Sequence, residues 1–291
     1  MDQTQSSNIH VCPVCNGDKT FLKNKRLDLY WCKFCNHTFT FSKEDSNLYS
    51  PEYFQEEHKN WFTNPNYVLF DRIYSKLTTL TPRPFRLIDV GCGDGAFLKF
   101  LRGKDDTSYL CGVDLVANSY PGINFIQEDI NSLVLKEKFD VVCNFMVIEH
   151  LKDPCSFIEK SSCILKNGGI MVVNTINNDS LIYLIARMLN RVGIRVAHDR
   201  LYSRHHLNHF TNKSLKRLLE RNGYQVLANW NHNYPLAAVD VPKSKWGLSH
   251  IYKSAVGVSF LLSNLFGGGV EQTLICKKNK DDDQNNPPTP Q

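Results

Sequence analysis

Leu87-Ile88-Asp89-Val90-Gly91-Cys92-Gly93-Asp94-Gly95 is the stretch on which the fold turns. Four mostly apolar residues run into three alternating glycines, and Ala96-Phe97-Leu98-Lys99-Phe100-Leu101-Arg102 follows with helical spacing. This reads as a short strand, a tight turn and a helix. Glycine lacks a Cβ, so the backbone of such a turn can approach a ligand closely. The spacing is GxGxG, which differs from the GxGxxG of dinucleotide-binding turns and disfavours a nicotinamide enzyme.

Working outward, the strand–helix rhythm repeats. YLCGVDL (109–115), INFIQED (123–129), FDVVCNFMV (139–147) and GIMVVNT (169–175) read as strands, and TLICKK (273–278) as a final one. FIEKSSCILK (157–166), 180–196 and SLKRLLERNGY (214–224) read as helices, the last started near Thr211, with another over 66–80. Such alternation predicts an α/β fold with a mostly parallel sheet covered by helices on both faces. Acidic residues end successive strands. Asp114 follows Gly95 by 19 residues, where a carboxylate can accept both hydroxyls of a ribose, and Asp129 ends the third strand. Ligands of open α/β sheets bind at these carboxyl ends.

LIDVGCGDG (87–95), GVDL (112–115), EDI (128–130) and FDVV…VIEHL (139–151) together resemble class I S-adenosylmethionine-dependent methyltransferases, across roughly residues 70–277. The resemblance implies a Rossmann-like seven-stranded sheet with an antiparallel last strand. It implies that Gly91 and Gly93 pass beneath the methionine part of S-adenosylmethionine and that Asp89 helps hold its amino group. Asp114 would bind the ribose and Leu115 would pack on the adenine. Asp129 would bond the adenine amino group, with the Ile130 amide nearby, and Asn144 would end the fourth strand close to the cofactor.

Cys12-Pro-Val-Cys15 and Cys32-Lys-Phe-Cys35 form two CxxC pairs with sixteen residues between them. Two such knuckles facing each other complete a sulfur tetrahedron, so this spacing predicts a structural Zn²⁺ ribbon. Leu27, Leu29 and Trp31 alternate between the pairs as in a hairpin strand. The other six cysteines are single and sit mostly in apolar runs, as expected of a reducing, cytoplasmic setting. The layout of ribbon, aromatic segment and methyltransferase unit also resembles a subset of small bacterial methyltransferases.

Methyl transfer from a sulfonium needs an aligned nucleophile and, for a hydroxyl, a base. Glu149-His150 follows the fourth strand, and His150 is the expected base; its alternative role is to orient the loop before Asp153-Pro154. His205, His206 and His209 form a second candidate group, without a carboxylate or cysteine pattern that would suggest a metal; the resemblance implies that they border the substrate pocket, and their alternative role is loop packing. Arg187, Arg191 and Arg195 would share a helix face and could grip an anionic substrate or an RNA backbone. The resemblance implies that Tyr49, Tyr53 and Phe54 fold over the cofactor as a lid; their alternative role is to anchor the linker. Residues 254–266 read as an amphipathic helix for core or dimer packing rather than for a membrane surface, since the lysines around it are sparse.

The 291 residues carry a formal net charge of +5, from Lys+Arg 34 against Asp+Glu 29, with 42% hydrophobic residues. That balance excludes a disordered chain, and no apolar run is long enough to span a membrane. The expected organisation is a ribbon with a loose start (1–41), a linker with lid helices (42–84), the methyltransferase domain (85–279) and a disordered tail (280–291). The expected activity is O-methylation of a small-molecule or carbohydrate-type acceptor. Two rivals stand beside it: an RNA methyltransferase, and a non-catalytic methyltransferase fold acting as a binding module. The acceptor and the oligomeric state are not legible.

Overall fold

The computed structural model describes residues 10–41, 59–203, 205–239 and 246–280. Tyr49, Tyr53, Phe54 and the expected tail beyond Lys280 lie outside the described residues.

Three short strands open the chain: β1 (Thr20–Asn24), β2 (Leu29–Cys32) and β3 (Thr38–Thr40). Helices α1 (Lys59–Thr63) and α2 (Tyr67–Leu80) follow, then β4 (Arg86–Val90), α3 (Ala96–Lys104), β5 (Tyr109–Asp114), β6 (Asn124–Gln127) and β7 (Phe139–Phe145). After a 3₁₀ turn at Ile148–His150 come α4 (Pro154–Ile164) and β8 (Leu165–Ile176). The chain finishes with α5 (Leu181–Arg191), α6 (Val196–Leu201), β9 (Asn208–His209), α7 (Asn212–Arg221), β10 (Tyr224–His232), α8 (Trp246–Phe266) and β11 (Glu271–Lys278).

The main sheet has seven strands in the order β10-β11-β8-β7-β4-β5-β6. Strands from β8 to β6 are parallel, and β11 runs antiparallel to both β8 and β10. The Rossmann-like sheet with its antiparallel last strand is therefore present. From β4 the chain winds one way through β5 and β6, then returns to start β7 on the other side. That reversal opens a crevice at the carboxyl ends of β4 and β7, where α/β folds bind ligands.

Local chemistry explains most boundaries. Thr211 caps α7 in a reciprocal capping box with Ser214, which satisfies two otherwise unpaired backbone donors. Asp153 accepts from the Ser156 amide at 2.9 Å, and Pro154 takes the first position of α4, where its missing N–H costs nothing. Three boundaries differ from expectation. The helix expected over 157–166 ends at Ile164, and Leu165 and Lys166 already belong to β8 together with Gly168 and Gly169. The stretch 180–196 is not one helix, because α5 ends at Arg191 and Gly193 sits in a turn at φ 91°. β10 was not foreseen: its register shifts between Val226 and Ala228, and a bulge breaks the period-two pattern that would announce a strand.

Helices α2 and α3 cover one face of the sheet with Ile73, Leu77, Leu98 and Leu101. Helices α4 and α7 cover the other with Phe157, Ile158, Leu215 and Leu218, and this second core runs on into Cys12, Val14 and Phe39 of the ribbon. The ribbon also gains a fourth strand from far along the chain. β9 pairs with β3 through Thr38↔His209 and Phe39↔Asn208. Among the described residues no helix is long and apolar enough to cross a membrane.

Candidate functional site: a cleft at the sheet switch point and a four-cysteine centre

The crevice between β4 and β7 is lined by Asp89, Gly91, Gly93 and Asp114. Gly91 has φ 73°, and a Cβ there would come within 2.4 Å of Val147 Cγ2. Gly93 has φ 55° and lies beneath the Phe62 ring. Both turns need glycine, for strain and for space. Gly91→Ala is expected to destabilise the fold by about 2 kcal/mol or more. Urea unfolding checks this; an unchanged midpoint would mean the turn is not held as described.

Asp114 is fixed by backbone donors: the Gly93 amide gives to Oδ2 at 2.8 Å and the Val116 amide to Oδ1 at 3.0 Å. Asp89 is buried at 2% exposure, and its Oδ1 has no hydrogen-bond partner among the described residues. Burial, and then the neighbouring Asp114, push its carboxyl well above the usual carboxylate range. A buried carboxylate without a partner beside a glycine turn suits a ligand's ammonium group, which would restore its charge. The opposite wall is aromatic and was missed in the sequence as a unit. Trp61 and Phe62 of α1 line it together with Tyr234, whose ring centroid is 5.1 Å from that of Trp61.

The remaining expected contacts spread out. Leu115 is 58% exposed just past β5. Asp129, exposed after β6, accepts from the Asn131 amide at 2.8 Å. Ile130 packs partly against the core. Parallel pairing sets the ends of β5 and β6 side by side, and none of these three is among the cleft-lining residues. Asn144 is fully buried and donates to the Val172 carbonyl at 3.4 Å. Side chains alternate along a strand, and it is Phe145 and Met146 that line the cleft. Met146 adopts φ 55°, a costly conformation for a residue with a Cβ.

At the far end of the cleft stands Glu271, the first residue of β11. It is buried at 2% exposure; Oε2 lies 3.4 Å from His232 Nδ1, while Oε1 has no hydrogen-bond partner among the described residues. Burial pushes this carboxyl up to about 8 and lowers His232 to about 4. The contact near neutral pH is thus between two uncharged groups, not an ion pair. Nothing in the local sequence flags Glu271, which looks like an ordinary strand-edge residue before Gln272-Thr273-Leu274.

His150 lies in the 3₁₀ turn after β7. Its Nδ1 is 2.8 Å from the His205 carbonyl. A carbonyl can only accept, so Nδ1 carries the proton and Nε2 is the proton-accepting nitrogen. His150 is not among the cleft-lining residues. β9 draws the histidine loop onto this turn: the Leu207 amide bonds the Glu149 carbonyl at 2.8 Å and Asn208 bonds the Leu151 carbonyl at 2.6 Å. A carboxylate does therefore accompany the histidines. Ligating atoms of Glu149, His150 and His206 all lie within 4.8 Å of one another, close enough to share a cation. Buried His209 packs against Tyr202 instead, with ring centroids 4.6 Å apart.

Residues 61–229 match the family described as "Methyltransferase domain". The chain belongs to this family. Relatives of the chain include the ubiquinone biosynthesis O-methyltransferases of Ruegeria pomeroyi and Brucella anthropi. The first is 31% identical over 128 residues, 40% of this chain and 52% of that protein. The second is 33% identical over 118 residues, 36% of this chain and 48% of that protein. The chain thus spans about half the length of the curated relatives it matches. Among solved structures, a SAM-dependent methyltransferase from Archaeoglobus fulgidus superimposes with a TM-score of 0.51 at 20% identity, over 78% of this chain and 99% of that one. That likeness is one of fold.

Outside the matched span, the chain brings Cys12, Cys15, Cys32 and Cys35 together. Their sulfurs all lie within 4.8 Å of one another, with Cys12–Cys35 at 3.6 Å and Cys15–Cys32 at 3.5 Å. Each CxxC folds into the same knuckle. The Asn16 amide bonds the Cys12 carbonyl at 2.9 Å, and the Asn36 amide bonds the Cys32 carbonyl at 3.0 Å. Asn16 and Asn36 take positive φ of 54° and 61°, as asparagine tolerates better than most residues. Sulfurs bound tetrahedrally at about 2.3 Å from one Zn²⁺ would stand about 3.8 Å apart, close to these spacings.

Proposed function

We propose that this chain transfers the methyl group of S-adenosylmethionine to an oxygen of a small-molecule acceptor. The cleft carries this reading: an orphaned buried carboxylate at Asp89, two glycines without side chains and a backbone-fixed Asp114 share one crevice. In this reading Asp89 meets the cofactor's ammonium, Gly91 and Gly93 give room for its methionine part, and Asp114 accepts from the ribose hydroxyls. Leu115, Asp129 and Ile130 flank the adenine end. When bound, the cofactor supplies a sulfonium methyl that leaves behind a neutral sulfur. The chain's own work is to exclude water with Trp61, Phe62 and Tyr234, to orient the acceptor and to take its proton.

Two groups fit the last task. Adjacent strands are about 4.8 Å apart, and β11 is three places from β4, so Glu271 sits about 14 Å across the sheet from the glycine strand. It faces the acceptor end, opposite Asp114, and its Oε1 is the acceptor-side base in this reading. His150, with Nε2 as its proton-accepting nitrogen, is the second candidate. The O-methyltransferase relatives support oxygen as the methylated atom. A carbohydrate-type or anionic acceptor belongs to the same proposal. The RNA reading keeps only Arg191 and Arg195 of its arginine face, because Arg187 turns inward to the Asn178 carbonyl at 2.8 Å and the Tyr202 hydroxyl at 3.2 Å.

The four-cysteine centre is proposed to hold a structural Zn²⁺, its ligand set closed by four thiolates. The ten cysteines are all unbridged, which favours a cytoplasmic location. The division into ribbon, lid segment and methyltransferase unit is retained as a proposal for how the chain is organised.

The test is to incubate the protein with methyl-labelled S-adenosylmethionine and an extract of its source. Label is expected in the small-molecule fraction; label in ribonuclease-sensitive polymer would overturn the reading. In parallel, Asp114→Ala is expected to weaken cofactor binding by about 100-fold in titration calorimetry. Unchanged affinity would remove Asp114 from the ribose site.

A further inference from the structure

Helix α8 is built inside out. Its inward face carries Val256, Phe260 and two serines, Ser259 and Ser263. Both serine hydroxyls donate back to the carbonyls three residues earlier, Ser259 to Val256 at 2.7 Å and Ser263 to Phe260 at 2.9 Å. The outward face carries Val258, Leu261, Leu262 and Leu265, at 57%, 63%, 39% and 72% exposure. The spacing i, i+3, i+4, i+7 makes them one stripe, and Phe266, 81% exposed, extends it. A water-facing helix carries its apolar stripe inward; here the more apolar stripe faces out.

Helix α5 packs against α8 and shares its core through Tyr183. It does the same on its outer side: Leu184 is 46% exposed and Met188 58%, one turn apart. The loop beyond adds exposed Val192 and Ile194. Single exposed apolar residues are ordinary, but a soluble monomer rarely gathers so many on two adjacent helices without a partner.

Along these two segments the charged residues have one sign. No Asp or Glu occurs between Ser180 and His198, where Arg191 and Arg195 lie, nor between Trp246 and Val270, where Lys253 lies. Arg191 and Arg195 are exposed beside the stripe. Across the two-fold axis of a dimer, a self-complementary patch would bring arginines toward arginines. Against anionic headgroups the same arginines are complementary.

We propose that the outer faces of α5 and α8 dock this protein onto an anionic bilayer, with the apolar stripe at the acyl boundary and Arg191 and Arg195 among the headgroups. This is interfacial binding without a spanning segment. The surface adjoins the cleft. Phe260 of α8 packs edge-on against Tyr234 at 5.2 Å, and Tyr234 and Pro235 are cleft wall. Leu236, next in sequence, is 41% exposed and lies over Gly257 of α8. An acceptor dissolved in the bilayer would reach the cleft past this rim.

The test is co-sedimentation of the full chain with phosphatidylcholine vesicles, with and without phosphatidylglycerol, alongside light scattering in the absence of lipid. Binding is expected with phosphatidylglycerol present and to fall steeply with salt. Leu261→Asp and Met188→Asp each place a charge on the exposed stripe. Each should lower the bound fraction by about tenfold or more while the melting temperature stays unchanged. Arg191→Glu should weaken binding to anionic vesicles. Equal binding by wild type and Leu261→Asp would overturn the proposal, as would no binding to any vesicle. A stable dimer in solution that Leu261→Asp dissociates would overturn it in favour of a second copy of the chain.

Discussion

Replacing Glu271 by Gln is expected to lower methyl transfer by about 100-fold or more, the usual weight of a positioned base, while cofactor affinity stays within about threefold of wild type. The substitution keeps the shape of the side chain and removes its ability to take a proton. Because burial holds the Glu271 carboxyl near 8, the wild-type rate should rise with pH and level off above about 8. Below that value the carboxyl is already protonated and cannot serve as a base. The same shift has a stability consequence of definite sign. The carboxyl lies at about 8 in the folded chain and at 4.5 ordinarily, so the folded state holds the proton more tightly. Its contribution to stability is complete below about pH 4.5 and is lost as pH rises through about 8. Glu271→Gln is neutral at every pH, so its melting temperature should decline less than that of wild type between about pH 5 and 9. A variant with full turnover would return the base role to His150, and parallel melting curves would show that the carboxyl is not held protonated.

Losing one cysteine of the four-sulfur centre should cost more than losing the ribbon alone. Cys32→Ser, or removal of the metal with a chelator, is expected to lower the stability of the whole chain by several kcal/mol, since the binding energy of a structural zinc is folding energy. The reason for the wide reach is the continuous core. Cys12, Val14, Cys35 and Phe39 pack in the same cluster as Phe157, Leu215 and Leu218, and β3 is hydrogen-bonded to β9. Calorimetry should show one transition that moves to lower temperature with the metal removed. Two transitions, with the larger one unmoved, would mean that the ribbon melts by itself and that the shared core contributes little. An unmoved single transition would remove the metal from the folding argument.

The glycine turn, the order of the strands and the two cysteine knuckles were legible in the chain because each depends on neighbours in sequence. Leu87–Gly95 announces strand, turn and helix through its own periodicity and its three glycines. Each CxxC makes its knuckle from four consecutive residues. Helix α7 is declared by Thr211 and its apolar spacing. What failed locally failed for local reasons too: the bulge in β10 blurred its alternation, and Gly193 cut a helix that composition alone had extended.

The site's other half was decided by tertiary structure. Glu271 enters the cleft because β11 inserts between β8 and β10, and no property of the residues around it marks that position. Trp61 and Tyr234 are 173 residues apart and form one wall. Glu149, His150 and His206 meet because a two-residue strand, β9, pairs with the ribbon and carries the histidine loop with it. The outward stripe of α8 has the same origin: amphipathic spacing shows that a helix has an apolar face, and only packing decides which way that face looks. Short-range hydrogen bonding and periodicity are written in consecutive residues, whereas convergence of distant side chains depends on how the sheet orders its strands.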